Sequence, residues 1–168
     1  MRSDYLISFK GLKQGKHHFE YEIDKKFFDL FTYDEYLDAN IQADLTLVKK
    51  STLMELTFHI KGNVLLNCDL SGEEFYQPVK GTLDIIVKFG EKFNDDDEVI
   101  LILPYESHSL DVAQYIYETT ILSTPIKRIH PGVLDGSLKS DILDKLKEFE
   151  NREKEKIDPR WDKLKGLI

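Results

Sequence analysis

The side chains able to do chemistry in this sequence fall into a few small groups. His59 and Asp84 lie on the polar faces of two alternating stretches, and a histidine oriented by a carboxylate is half of a nucleophile-activating arrangement. The same alternation sets no serine or cysteine beside them, and it turns Cys68 to the opposite, apolar face. A structural cross-strand ion pair is therefore the expected role of His59 and Asp84, and Cys68 is expected to pack as a small buried hydrophobe. His17 and His18 are neighbours, so on a strand their rings point to opposite faces and do not share a metal. The acidic run from Glu91 to Glu98 lacks the glycine turn and ligand spacing of an EF-hand loop. It reads as a solvated, mobile loop. Phosphate-loop and dinucleotide fingerprints are missing. The sequence predicts no catalytic residue, no metal and no cofactor.

Two basic clusters remain. Lys127-Arg128-Ile129-His130 is an extended segment bracketed by Pro125 and Pro131. Near the end of the sequence, Arg160, Trp161, Lys163 and Lys165 interleave an aromatic plane with cations, a combination that can stack on an unpaired base and hold phosphates. Trp161 and Leu164 equally suit docking of the tail on a core, with the cations solvated. Spacing alone leaves both uses open.

Charge weighs on that choice. The net charge is −8, whereas nucleic-acid binders usually carry a basic face. RNA contact would have to be local, and the global charge also suits a basic partner such as a ribosomal protein. A single cysteine excludes an internal disulfide framework and a Cys-based zinc site. No apolar run reaches the roughly 18–20 residues of a membrane span, and Met1 to Tyr5 lacks the apolar core of a signal peptide. A cytoplasmic location is expected.

The elements that must position these groups are organised around one hairpin. Met54, Leu56, Phe58, Ile60, Gly62, Val64, Leu66 and Cys68 alternate with Glu55, Thr57, His59, Lys61, Asn63, Leu65, Asn67 and Asp69, the pattern of a half-buried strand. Phe75, Val79, Gly81, Leu83, Ile85, Val87 and Phe89 repeat it. Ser71-Gly72 between them is predicted to be a two-residue turn. That register sets His59 opposite Asp84, Glu55 opposite Lys88, and Gly62 opposite Gly81, where both strands bend.

Further strands are expected at 5–9, 17–23, 41–47 and 99–103. Asp24 caps a short helix over 25–31 whose Phe27, Phe28, Leu30 and Phe31 plug one end of the sheet. A helix over 109–123 begins at Ser109 and ends before Pro125. Another begins at Ser140, with Ile142, Leu146 and Phe149 on one side and acid-first charge pairs such as Asp141–Lys145 on the other. Asp158-Pro159 starts a last short helix. The fold class is α+β: a strongly bent antiparallel sheet or partial barrel built on the hairpin at about 54–89, with C-terminal helices. Residues 1–136 are expected to form the β core with helix 109–123 packed on it, and 137–168 a charged helical extension.

Several stretches, taken in order, resemble the YceD family of large-ribosomal-RNA-subunit accumulation proteins. They are Gly11-Leu12-Lys13-Gln14-Gly15 before His18-Phe19-Glu20-Tyr21-Glu22-Ile23-Asp24, then Ser51-Thr52-Leu53-Met54-Glu55-Leu56, and Gly62 with Cys68-Asp69. Leu83 to Gly90, Leu110 to Glu118, His130-Pro131 and Asp158 to Leu164 follow. The resemblance implies a bacterial cytoplasmic factor, without known catalytic activity, needed for normal accumulation of large-subunit (23S) ribosomal RNA. One departure is plain. Where family members often carry a Cys-x-Arg-Cys-Leu-Glu turn, this chain reads Cys68-Asp69-Leu70-Ser71-Gly72-Glu73. The arginine and second cysteine are gone, so no metal or redox role is expected of the turn.

The leading expectation is a non-catalytic ribosome-assembly factor that touches large-subunit RNA or its precursor particle through Lys127, Arg128, His130, Arg160, Trp161, Lys163 and Lys165. Its first rival is an acidic chaperone or adaptor for a basic ribosomal protein. A partial barrel binding a small molecule is the second, for which no convergent polar pocket can be read.

Overall fold

Alternation of apolar and polar residues becomes alternation of burial along four long strands. In a computed structural model, which describes residues 2–155, a short 3-10 turn (Arg2–Tyr5) is followed by β1 (Leu6–Ile7) and β2 (Gly15–Asp24). Helix α1 (Lys25–Asp29) leads into β3 (Asp38–Lys49), β4 (Leu53–Asn67), β5 (Glu74–Gly90), β6 (Ile100–Pro104) and β7 (Leu110–Asp111). Helices α2 (Ala113–Ser123), α3 (Pro131–Leu134) and α4 (Asp141–Glu155) complete the described chain. The fold is mixed α+β. A five-stranded sheet of order β2-β3-β4-β5-β6 is accompanied by a two-stranded sheet of β1 and β7. The larger sheet is open, ending on β2 and β6, and forms no closed barrel.

By contact density the chain divides into two compact units. Residues 1–66 and 76–126 form the first; 67–75, the tip of the β4–β5 hairpin, join the residues from 127 onward in the second.

In the first unit, Ile41, Ala43, Leu45 and Leu47 of β3, Met54, Leu56, Phe58 and Ile60 of β4, and Ile85 and Val87 of β5 are all buried. Ala113 and Ile116 of α2 are buried as well, and Tyr115 meets Phe58 with ring centroids 6.0 Å apart. As expected, Asp24 caps α1, accepting from the Phe27 N–H at 3.3 Å. Phe27, Phe28, Phe31, Tyr33, Tyr36 and Tyr117 form one aromatic cluster around it. Tyr36 is fully buried, and its hydroxyl lies 2.5 Å from Thr124 Oγ1, which itself donates to the Thr120 carbonyl. Since a hydroxyl has one proton, Tyr36 is the donor in that pair. Tyr36→Phe is expected to cost about 1 kcal/mol in chemical unfolding, whereas Tyr36→Ala, which also opens a cavity, is expected to cost about 3–5 kcal/mol.

Several expectations need correction. The hairpin exists, but its register differs. Thr57 Oγ1 donates to Asp84 Oδ1 at 2.6 Å, His59 Nδ1 lies 3.3 Å from Thr82 Oγ1, and the Cys68 N–H donates to the Glu73 carbonyl at 2.8 Å. These pairs centre the hairpin between Leu70 and Ser71, so every partner moves by two residues and every side chain keeps its face. His59 therefore does not face Asp84, and Glu55 pairs with Lys50 instead of Lys88.

The register also separates Gly62 from Gly81, and each glycine answers to its own neighbour. A Cβ on Gly62 would overlap the Asn40 carbonyl oxygen and lie 2.6 Å from Ile41 Cα on β3. On Gly81 it would overlap Ser123 Oγ and lie 3.0 Å from Thr119 Cγ2 on α2.

The sheet is not wholly antiparallel, because β6 runs parallel to β5 from Ile86↔Ile100 to Gly90↔Pro104. The acidic stretch 91–99 makes this possible by carrying the chain back along the strand. It is held in place rather than loose: Asn94 and Ile102 exchange two backbone hydrogen bonds of 3.0 and 2.8 Å, and Asp97 Oδ1 accepts from the Val99 and Ile100 N–H groups. Finally, the helix expected over 109–123 begins at Ala113. Leu110–Asp111 pairs instead with Leu6–Ile7, the only part of the expected 5–9 strand that forms, and Asp111 Oδ1 accepts from the Ala113 N–H at 2.9 Å.

Candidate nucleic-acid interface

The described basic cluster is fixed by the hairpin tip, within the second unit. At the tip Gly72 takes a φ of 73°, a left-handed conformation suited to glycine. Gly72 and Glu73 both face Cys68: the Gly72 N–H donates to the Cys68 carbonyl at 2.9 Å, and the Cys68 N–H donates to Glu73. Two residues against one is a glycine bulge, which replaces the expected two-residue turn.

That geometry turns Asp69 and the Cys68 sulfur toward residues 128–130. The Asp69 N–H donates to the Arg128 carbonyl at 2.8 Å, and the Arg128 N–H returns a bond to Asp69 Oδ2 at 2.7 Å. The His130 N–H donates to Cys68 Sγ at 3.2 Å, and the Ser71 N–H approaches the same sulfur at 3.5 Å. Cys68 is 3% exposed, as a buried hydrophobe would be. Its sulfur, however, acts as an acceptor joining the turn to the basic segment. Burial pushes the Cys68 thiol up, but hydrogen bonds from the His130 backbone and from Ser71 and Leu70 outweigh it, leaving the thiol below its ordinary value.

The sign of that shift gives a test. A depressed folded value means that the thiolate stabilises the fold above the ordinary thiol pKa, and that this contribution is lost as pH falls through the folded pKa. The stability gap between the natural chain and Cys68→Ala should therefore widen as pH rises from neutral toward the ordinary thiol value, then level off. Thermal melts of both across that range check it, and a gap independent of pH contradicts it.

His130 has a second duty. Its Nδ1 accepts from the Gly132 N–H at 2.9 Å, capping α3 with Pro131 in the first turn, and its ring meets Phe75 at 5.5 Å and 67°. Nε2 is the ring nitrogen left to meet a partner. Lys127 is exposed and Arg128 partly exposed. Arg160, Trp161, Lys163 and Lys165 lie outside the described residues. Ile142, Leu146 and Phe149 of α4 are all exposed, while Leu143 is buried.

Sequence reasoning missed Cys68 and Asp69 as the anchor of the basic segment, because their partners lie about sixty residues away and no local signal announces them. It also missed a groove of about 730 Å3 in the first unit, lined by Asp95, Asp96, Asp97, Glu98, Tyr115, Glu118 and Leu122. Burial first, then Glu118 and Asp96, raise the Asp95 carboxyl above its ordinary value. Leu122 is 85% exposed at its rim. Among the described residues, no three His, Cys, Asp or Glu side chains gather as a metal site, and no helix is long and apolar enough to cross a membrane.

The chain belongs to the YceD family: the model described as large ribosomal RNA subunit accumulation protein YceD matches residues 56–168, more than half of the sequence. The match begins within β4 and takes in the hairpin tip, the segment 127–130 and the second basic cluster; the resembling stretches before residue 56 fall outside it. No curated protein and no solved structure matches the chain. The family's description names large-subunit ribosomal RNA accumulation and no chemical reaction.

Proposed function

We propose that this chain is a non-catalytic bacterial ribosome-assembly factor, acting in the cytoplasm, that supports accumulation or processing of 23S ribosomal RNA by touching that RNA or its precursor particle. Family membership supports the pathway. The observation that supports the surface is the backbone clamp between Asp69 and Arg128, which holds a basic segment in one conformation. A segment ordered beforehand loses less entropy when it binds. In this reading Lys127, Arg128 and His130 Nε2 form one part of the contact, and Arg160, Trp161, Lys163 and Lys165 the other. A net charge of −8 works against diffuse RNA binding, so the contact is confined to these clusters and sensitive to salt. Sedimentation of lysates through sucrose gradients tests the proposal. The chain should travel with large-subunit precursors and leave them at raised salt; a chain that stays at the top of the gradient while precursors are abundant overturns it.

A second reading has its own support in the acidic groove. Five carboxylates beside an exposed leucine suit a basic segment with an apolar anchor, as an adaptor for a basic ribosomal protein would need. Asp95→Asn with Glu118→Gln separates the two readings: loss of a bound basic ribosomal protein with RNA association intact favours the adaptor.

A further inference from the structure

The two edges of the large sheet differ in how they are protected. Strand β6 has five residues, ends at Pro104, and is engaged by the Asn94–Ile102 bridge. Shortness, proline, charged side chains and a covering segment are the usual means of blunting an edge. Among the described residues, strand β2 has only the charges. It runs ten residues, holds an unbroken register with β3 from Gly15↔Lys49 to Asp24↔Asn40, and contains no proline. Among the described residues no strand pairs with its outer side. An edge of this kind is a template for another strand.

Its sequence is complementary to itself. Lys16, His18, Glu20 and Glu22 are exposed and share one face; His17, Phe19, Tyr21 and Ile23 are buried or half-buried and share the other. Let a second copy run antiparallel with Phe19 facing Phe19. Lys16 then falls opposite Glu22 and His18 opposite Glu20, each twice about the two-fold axis. Centring on Glu20 sets two glutamates face to face, and centring on Tyr21 sets Glu20 against Glu22. Centring on His18 keeps Lys16 opposite Glu20 but pairs the two histidines and moves Glu22 against Gln14, beyond the strand, so one charge pair is lost on each side. A shift by an odd step sets the charged face against the apolar one. We propose that two copies of this chain pair through antiparallel β2 edges about Phe19, continuing the sheet across a two-fold axis. A single added strand pair is a small interface, so the dimer is in reversible exchange with monomer.

Analytical ultracentrifugation of the full chain over a concentration series tests this. Lys16→Glu and Glu22→Lys each set like charges opposite one another in two places, and each should weaken self-association on the order of tenfold. The double variant should restore it, a result that depends on residue 16 facing residue 22 of the other copy. Within the chain Lys16 faces Val48 and Glu22 faces Gln42, so neither reversal repels its own sheet, and unchanged thermal stability confirms the fold. A monomer at every concentration overturns the proposal. So does a dimer that neither reversal weakens, or a double variant no better than the singles.

Discussion

Replacing Lys127, Arg128, Arg160, Lys163 and Lys165 together by Ala is expected to lower affinity for large-subunit RNA or its precursor particle on the order of a hundredfold at low salt. The salt dependence should flatten by up to about one unit of slope for each phosphate contact removed. The clamp between Asp69 and Arg128 runs through the Arg128 backbone and the Asp69 carboxylate, so the substitutions leave it in place. The reasoning for the second cluster is physical. Those residues lie outside the described ones; from sequence, a helix as short as the one expected from Asp158-Pro159 would gain its order only by docking. Were it only a plug for the core, Trp161 and Leu164 would suffice and the flanking cations would be dispensable. Variants of each cluster alone divide the effect between them. An unchanged affinity and an unchanged salt slope would place the RNA surface elsewhere.

A large effect on stability is also expected at Gly62, where Gly62→Ala should cost about 3 kcal/mol or more in chemical unfolding. The added methyl group meets the Asn40 carbonyl and Ile41 Cα, both backbone atoms in the middle of β3, which move only if the strand moves. Gly81→Ala is the comparison. There the overlap falls on the Ser123 hydroxyl, which can rotate away at the loss of its bond to the Thr119 carbonyl, while Thr119 Cγ2 at 3.0 Å has only to give slightly. About 1 kcal/mol is expected from that lost bond. Equal costs at the two positions would contradict the account of why each is glycine.

These glycines also mark how far the sequence could be read. Period-2 alternation placed the long strands and their buried faces, because side-chain direction follows parity alone. Register depends on the turn, and Ser71-Gly72 was the right neighbourhood with the wrong geometry: Gly72 takes its positive φ inside a bulge, not at the centre of a two-residue loop. Since the resulting error was two residues, the faces survived while the pairs His59–Asp84 and Gly62–Gly81 did not. The direction of β6 was hidden because nothing in Glu91 to Glu98 signals that the chain turns back before the strand. The helix boundary at Ala113 depends on Leu6–Ile7, more than a hundred residues away. For the candidate surface, composition pointed to Lys127, Arg128 and His130 but not to what holds them. An aspartate and a cysteine at a hairpin tip have no local reason to bind residues 128–130, and only the fold brings them together.

The most direct measurement is ultraviolet crosslinking in cells, followed by identification of what is attached to the purified chain. The account predicts large-subunit ribosomal RNA as the enriched adduct, lost in the variant lacking Lys127, Arg128, Arg160, Lys163 and Lys165. Adducts that are protein alone, or ribosomal RNA crosslinks that persist undiminished in that variant, would contradict it.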